Sequence, residues 1–163
     1  MRYRLRRREQ DGDDGQTLEW KNEHRGRLFA EYDGGAWNSR TQGDMAYSVS
    51  GKRSFGWMVT EQVQGRFKWL KASASIAYFH TDDFDSRLYA YERGVLYSFN
   101  FPVFYGEGIR YWVMAQASVA QNIVLTVKVG TTNYFDRSVI GTGYQQVNHS
   151  AMTDMEIQGR VKF

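Results

Sequence analysis

The stretch IRYWVMAQASVAQNIVLTVKVGTTNYF, residues 109 to 135, alternates apolar and polar side chains in two runs that are separated near Ala120 and Gln121. One parity of the two runs is apolar and comprises Val113, Ala115, Ala117, Val119, Ile123, Leu125, Val127 and Val129. The other parity is polar and includes Arg110, Gln116, Ser118, Thr126, Lys128 and Thr132. Because successive side chains of a β-strand point to opposite faces, this stretch predicts an antiparallel hairpin with one apolar and one polar face.

Similar alternation occurs along the rest of the chain, with turn signals between the runs. The runs cover residues 2–9, 17–32, 36–50, 55–67, 68–80 and 87–101, and the closing run MEIQGRVKF at 155–163. The turn signals are QDGDDGQ at 10–16, DGG at 33–35 and TDDFD at 81–85. The sequence therefore predicts an all-β fold, an antiparallel meander of about nine strands. The count is uncertain by one because the alternation slips at residues 92–94.

Length and composition restrict the alternatives. The 163 residues contain no cysteine, one proline and 16% aromatic residues, with a net charge of +3. A disulfide framework and thiolate metal sites are therefore excluded, and the charge is too small to indicate nucleic acid by itself. No run approaches the ~20 apolar residues of a membrane helix. We find no linker or internal repeat, so residues 1–163 are predicted to form one domain.

The beginning of the chain, MRYRLRRRE, has no apolar core of a secretory signal. Since Tyr3 and Leu5 alternate with Arg2, Arg4, Arg6 and Arg8, the chain is expected to begin inside a strand, with further strands upstream. A basic disordered arm is the alternative. The four arginines could contact phosphate groups, although charges on the polar side of a strand are the favoured interpretation.

The same alternation fits a soluble up-and-down barrel that binds an apolar ligand inside and a membrane barrel that turns its apolar face to lipid. Three features favour lipid: mid-strand charges on the polar parity, aromatic residues near strand ends, and the alternating C-terminus. The aromatic pairs are Tyr32 and Trp37, Phe55 and Trp57, Phe67 and Trp69, Tyr111 and Trp112, and Tyr134 and Phe135. We therefore expect an outer-membrane β-barrel, or the open C-terminal part of one, in contact with outer-membrane lipid.

The C-terminal residues resemble the signal by which the outer-membrane assembly machinery recognises its substrates. Phe163 would be the terminal residue of that signal, with Val161 and Ile157 on the same parity. The resemblance implies the assembly machinery as a partner, and the expected start inside a strand implies upstream strands of the same parent chain as further partners.

Residues 79–113, FHTDDFDSRLYAYERGVLYSFNFPVFYGEGIRYWV, resemble the barrel portion of Gram-negative outer-membrane proteins labelled helix-hairpin-helix or competence-type proteins. VIGTGYQQVN at 139–148 and the ending VKF are also similar, and the similarity covers residues 18–163. The resemblance implies that this chain is the C-terminal barrel of such a protein. One alternative is that the parent protein is an envelope protein with a role related to nucleic acid. The naming module, with two helices and a glycine-containing hairpin, is not found in this sequence, so nucleic acid is not an expected partner of these residues.

Two groups of residues could carry chemistry. His80, Asp82, Asp83 and Asp85 could bind a cation, but a solvated turn capped by its aspartates is favoured, and no metal or cofactor is predicted. The second group is a charge network on the predicted lumen-facing parity, formed by Arg110, Lys128, Asp154, Glu156, Arg160 and Lys162. A structural network is favoured over a solute-selecting pore lining. The three histidines are isolated in sequence and no catalytic grouping stands out, so an enzyme is not expected.

Overall fold

The structure, a computed structural model, describes residues 1–11, 18–98, 101–141 and 143–162. These residues form ten strands and two short 3₁₀ turns, with no α-helix among them. The strands are β1 (Arg2–Asp11), β2 (Leu18–Asp33), β3 (Trp37–Ser50), β4 (Lys52–Phe67), β5 (Leu70–Thr81), β6 (Leu88–Tyr89), β7 (Val103–Phe104), β8 (Glu107–Ala120), β9 (Ile123–Tyr134) and β10 (Ala151–Val161). The 3₁₀ turns are Phe84–Ser86 and Gly143–Gln145.

Eight of the strands form one antiparallel sheet in the order β1-β2-β3-β4-β5-β8-β9-β10, and β6 pairs with β7 in a small second sheet. This confirms the predicted all-β antiparallel meander. The sheet is open rather than closed into a barrel, because no pairing joins β1 to β10 in the described residues. No helix of the described residues has the length and apolar character needed to cross a membrane.

The strands of the large sheet are long, 10 to 16 residues each, whereas strands of globular proteins usually have about 5 to 6. Alternation extends over this length and separates two faces. We call them the apolar face, which carries Val113, Val129 and Met155, and the polar face, which carries Arg110 and Lys128.

The apolar face is continuous across β5, β8, β9 and β10. The register brings apolar or small side chains into three neighbouring rows, so no charge interrupts this part of the face. The rows are Ala74, Val113, Val129 and Met155; Ala72, Ala115, Val127 and Ile157; and Leu70, Ala117, Leu125 and Gly159.

The polar face is covered by the chain that connects β5 to β8. We call residues 82–98 and 101–106 the crossing segment, because its contacts extend from Lys21 on β2 to Gln158 on β10. The sequence predicted that residues 87–101 form a long strand of the sheet, and this prediction is wrong. In the described part of this range the one strand is Leu88–Tyr89, which pairs with Val103–Phe104, while the surrounding described residues lie across the polar face.

A small apolar core lies beneath one end of the crossing segment. Three of its buried residues, Leu88, Ala90 and Phe104, belong to that segment and pack on residues of the sheet. The sheet contributes Ala46, Met58, Ala77, Phe79 and Tyr134. Gly56 allows the close approach, since a Cβ at this position would lie 2.6 Å from the carbonyl oxygen of Ser86.

In a membrane barrel the aromatic residues predicted near strand ends would form girdles at the two lipid–water interfaces, and the structure exposes some of them and buries others. Tyr32, Trp37 and Phe67 are exposed, as a girdle requires. Trp112 and Tyr134 are instead buried on the polar face, where the ammonium of Lys128 lies 5.3 Å from the centre of the Trp112 ring. The proposed girdle role is therefore wrong for these two residues, because in each case the neighbouring residue, Tyr111 or Phe135, is the exposed one.

Candidate functional site

Buried charges connect the crossing segment to the polar face of β8 and β9. Glu92, 3% exposed, accepts hydrogen bonds from Arg110 Nε and Nη2 at 2.8 and 3.0 Å and from Lys128 Nζ at 2.9 Å. Arg110 is 4% exposed and Lys128 is fully buried. Three ionised groups taken out of water require mutual compensation, and the bidentate contact with Arg110 supplies the geometry that does this best.

Asp154 of β10 completes this cluster. Its carboxylate accepts hydrogen bonds from Arg110 Nη1 at 2.6 Å and Nη2 at 3.2 Å. Two cations thus face two carboxylates, so the formal charges of Glu92, Asp154, Arg110 and Lys128 cancel. We call these four residues the buried charge cluster; the Asp154 side chain is 37% exposed, whereas the other three side chains are at most 4% exposed.

A glycine makes room for the cluster. Gly130 lies on the polar face of β9, opposite Trp112 in register, and a Cβ there would lie 2.5 Å from Arg110 Nη2. The guanidinium therefore lies against the backbone of β9, and any larger residue would displace it. The local sequence Lys128-Val129-Gly130 combines a charge that binds Glu92 with space for the second cation.

The remaining predicted network residues behave differently. Glu156 lies opposite Lys128 in register, but its carboxylate accepts a hydrogen bond from the backbone nitrogen of Val95 at 3.3 Å. Arg160 lines a cavity of about 380 Å³, and its buried Nε has no hydrogen-bond partner in the described part of the chain. Lys162 is exposed, and its backbone nitrogen donates to the carbonyl of Asn122 at 2.9 Å. The structure thus brings Arg110 and Lys128 together through Glu92 and attaches Asp154 through Arg110, whereas Glu156, Arg160 and Lys162 lie outside the cluster.

The C-terminal strand holds the crossing segment through a second polar contact. Leu96 donates its backbone N–H to Gln158 Oε1 at 2.9 Å, and Gln158 Nε2 donates back to the carbonyl of Leu96 at 2.8 Å. This reciprocal pair satisfies both backbone groups of a residue that lies outside any strand.

The other end of the crossing segment is attached to β2 and β4. Lys21, almost fully buried, forms an ion pair with Asp85, and Arg25 Nη1 donates to the carbonyl of Arg87 at 3.0 Å.

The contact with β4 is made by Ser54. The hydroxyl of Ser54 donates to Asp83 and lies 2.8 Å from the hydroxyl of Ser86. Contacts at both ends and the centre therefore fix the segment across the polar face from β2 to β10.

Three of the four residues considered as metal ligands, Asp82, Asp83 and Asp85, instead help to attach the crossing segment to the sheet. Asp82 accepts from the backbone nitrogen of Phe55 at 2.9 Å, Asp83 caps the 3₁₀ turn by accepting from Asp85 N at 2.8 Å, and Asp85 binds Lys21. His80 lies 3.9 Å from Asp82 and 3.8 Å from Glu107. No group of three metal-ligating side chains occurs among the residues that the structure describes.

Beyond β9, Asp136 and Arg137 fix the end of the crossing segment. Arg137 donates to both carboxylate oxygens of Asp136, at 3.0 and 2.7 Å, and to the carbonyl of Tyr105 at 3.0 Å. The hydrogen bonds from Arg137 hold the pKa of Asp136 below its usual value, and the same bonds raise the pKa of Arg137. The pair thus remains ionised over a wide pH range.

The predicted assembly signal is described only in part. Phe163 lies outside the described residues. Ile157 and Val161 lie on the apolar face of β10, and both are exposed. Their role in assembly stays a prediction.

Sequence reasoning missed Glu92, the residue on which the buried charge cluster depends. The slip in alternation at residues 92–94 falls inside the crossing segment, but it did not indicate that the chain had already left the sheet or that Glu92 turns inward. The available signal was Glu92-Arg93, the one pair of charged residues inside an aromatic-rich run. A carboxylate buried in such a run needs cationic partners, and Arg110 and Lys128 lie on the predicted polar parity.

Described by its geometry, this is a protein with an open antiparallel sheet whose own chain covers the polar face. Comparison with protein-family models, with curated proteins and with solved structures gave no match. The resemblance to helix-hairpin-helix outer-membrane proteins therefore stays a prediction.

Proposed function

We propose that the chain forms part of the wall of an outer-membrane β-barrel, without catalytic activity, with its apolar face in lipid and its polar face toward a water-filled interior. One observation carries the proposal: the polar face holds buried, mutually paired charges, whereas the apolar face exposes large side chains such as Val129, Met155 and Ile157. A protein in water normally arranges its faces the other way.

The energetics of the two faces support a lipid environment. A contiguous exposed apolar surface in water is unfavourable and normally marks a contact with something apolar. In a bilayer the same rows of valine, isoleucine and leucine are removed from water at no further cost. Charges on the opposite face remain tolerable because they are paired with each other and lie beside an aqueous interior.

The free edges add a requirement. Strand edges within lipid leave backbone N–H and C=O groups without partners, which costs several kcal/mol for each group. The proposal therefore includes pairing of the β1 and β10 edges, with each other, with further strands or, where this chain inserts alone, with the edges of a second copy.

The crossing segment defines what such a barrel could do. Because it lies over the polar face from β2 to β10, it would narrow the interior rather than leave it open. An anchor or a restricted channel fits this geometry better than a wide pore. A soluble barrel with an apolar ligand inside would need its continuous apolar surface on the covered face, where only a small core lies.

Flotation tests the proposal. The 163-residue chain, unfolded in urea, is diluted into phosphatidylcholine vesicles or into buffer alone, and each sample is centrifuged through a sucrose gradient. We expect β-sheet circular dichroism and flotation only with vesicles, with the protein still bound after an alkaline carbonate wash. A folded, monomeric chain in buffer without lipid or detergent would contradict the proposal, as would a chain that remains unfolded with vesicles.

A further inference from the structure

An arginine-rich groove of about 400 Å³ lies between β1, β2 and the crossing segment. Its lining contains seven arginines and two carboxylates, so seven positive charges less two negative ones leave a formal charge of +5. The arginines are Arg2, Arg4, Arg6, Arg8, Arg25, Arg27 and Arg87. The whole chain has a net charge of only +3, so this groove concentrates more positive charge than the chain carries as a whole.

The two carboxylates are already used. Arg8 Nη2 donates to Glu23 Oε1 at 3.1 Å, and Arg27 Nε donates to Asp44 Oδ1 at 2.6 Å. The side chains of Arg2, Arg4 and Arg6 make no hydrogen bond or ion pair with any residue that the structure describes, and all three are exposed. Three guanidinium groups thus remain available on one side of β1.

The pairing register places like charges together. Arg2 lies directly opposite Arg27, and Arg4 lies directly opposite Arg25, on the same face of the sheet. Like charges at directly opposed positions destabilise a pair of strands. An arrangement that is unfavourable for the sheet itself is explained if a negatively charged ligand binds there.

The opposite wall of the groove is already in place. Arg87 Nε donates to the hydroxyl of Tyr89 at 2.7 Å, and the guanidinium of Arg25 lies 5.4 Å from the centre of the Tyr89 ring. Since Arg25 also donates to the carbonyl of Arg87, the crossing segment and β2 hold each other beside the free arginines. A ligand would therefore enter a groove with one wall fixed in advance, which lowers the entropic cost of binding.

We propose that this groove binds an anion that carries two or more phosphate groups. Arginine is suited to phosphate because its planar donors form two parallel hydrogen bonds to the phosphate oxygens. Arg2, Arg4 and Arg6 alternate along one strand and span about 14 Å, so one phosphate cannot contact all three unless Arg2 and Arg6 bend toward Arg4. Several phosphates in one molecule can, whether they belong to a soluble compound or to a lipid headgroup. The inference does not rest on a membrane location.

Calorimetric titration with tripolyphosphate tests this inference. The full chain, in buffer or in a zwitterionic detergent according to where it folds, is compared with the double variant Arg4→Gln/Arg6→Gln. We expect the double variant to bind at least about tenfold more weakly. The matched control is Arg53→Gln/Arg66→Gln, which removes the same two charges from exposed arginines outside the groove and should change affinity by less than about twofold.

A second arm separates the two sources of phosphate. Phosphatidylcholine vesicles with and without phosphatidic acid are offered to the same three proteins. A lipid source predicts stronger binding to vesicles with phosphatidic acid, dependent on Arg4 and Arg6 and displaced by tripolyphosphate. A soluble source predicts tripolyphosphate binding without any preference for phosphatidic acid.

Stability without ligand provides a further measurement. If Arg4 and Arg6 are present for a ligand, replacing them should leave the urea midpoint of the chain without ligand unchanged or raise it. Replacing Arg4 removes like-charge repulsion with Arg25, and Arg6 lies opposite Glu23 but forms no ion pair with it, since Glu23 pairs with Arg8. Equal weakening of binding in the groove variant and in the control would overturn the inference, as would absence of tripolyphosphate binding or a large loss of stability in Arg4→Gln/Arg6→Gln.

Discussion

Glu92→Gln is expected to lower the free energy of unfolding by about 3–5 kcal/mol, because it leaves Lys128 and Arg110 as buried cations that lack their shared counter-charge. Glutamine keeps the shape of the side chain, so packing beneath the crossing segment is nearly preserved. The amide nitrogen would also present a donor to groups that are themselves donors. The two free energies of unfolding, of the original chain and of Glu92→Gln, are measured by urea unfolding of the protein folded in phosphatidylcholine vesicles, followed by tryptophan fluorescence.

Glu31→Gln provides the control for this prediction. Glu31 accepts from Arg40 Nη1 at 3.1 Å, but both side chains are exposed, and such pairs contribute less than about 1 kcal/mol. Adding Lys128→Met to Glu92→Gln should recover part of the lost stability, because it removes one of the uncompensated charges. Equal effects of the two glutamate replacements would show that the buried charge cluster does not hold the crossing segment.

Val129→Arg is expected to lower the stability of the chain folded in phosphatidylcholine vesicles by about 2–4 kcal/mol, the cost of an arginine at the lipid-facing midplane of a barrel. Val129 lies near the middle of β9 on the apolar face, between Val113 and Met155, with 41% of its surface exposed. If that surface faced water, the same replacement would change stability by less than about 0.5 kcal/mol.

The matched control for Val129→Arg is Val139→Arg, which makes the same chemical change at a valine that is also 41% exposed. Val139 follows β9 and lies outside the strands, so its replacement should have almost no effect in vesicles. Because the chemical change and the starting exposure are the same, any difference in stability loss between Val129→Arg and Val139→Arg reports which valine faces lipid. Equal and small effects at both positions would contradict the proposed orientation of the apolar face.

The sequence was sufficient to predict the sheet, because period-two alternation is a local property that continues through each strand. Arg110 and Lys128 were placed correctly on one parity, as were Val113 and Val129 on the other. The hairpin near Ala120 and Gln121 was also predicted, since the register there follows from the turn. These features require no knowledge of contacts between residues that are distant in sequence.

The crossing segment could not be predicted in the same way. Tyr89 and Tyr91 alternate with Ala90 and Glu92 as strand residues would, yet the segment leaves the sheet and packs over its polar face. Its position depends on contacts between distant residues, such as Glu92 with Lys128 and Leu96 with Gln158. Local periodicity contains no information about such pairs, and the role of Glu92 in particular emerges only when the partners are brought together.

The central claim, that the apolar face meets lipid while the polar face meets water, is tested most directly by two neighbouring residues of β8. The chain has no cysteine, so Ala115→Cys and Gln116→Cys each introduce a single thiol, on the apolar and the polar face respectively. With the protein folded in vesicles, we expect a water-soluble maleimide to label Gln116→Cys and to leave Ala115→Cys unlabelled. Ala115 is the more exposed of the two, so faster labelling of Ala115→Cys than of Gln116→Cys would contradict the account.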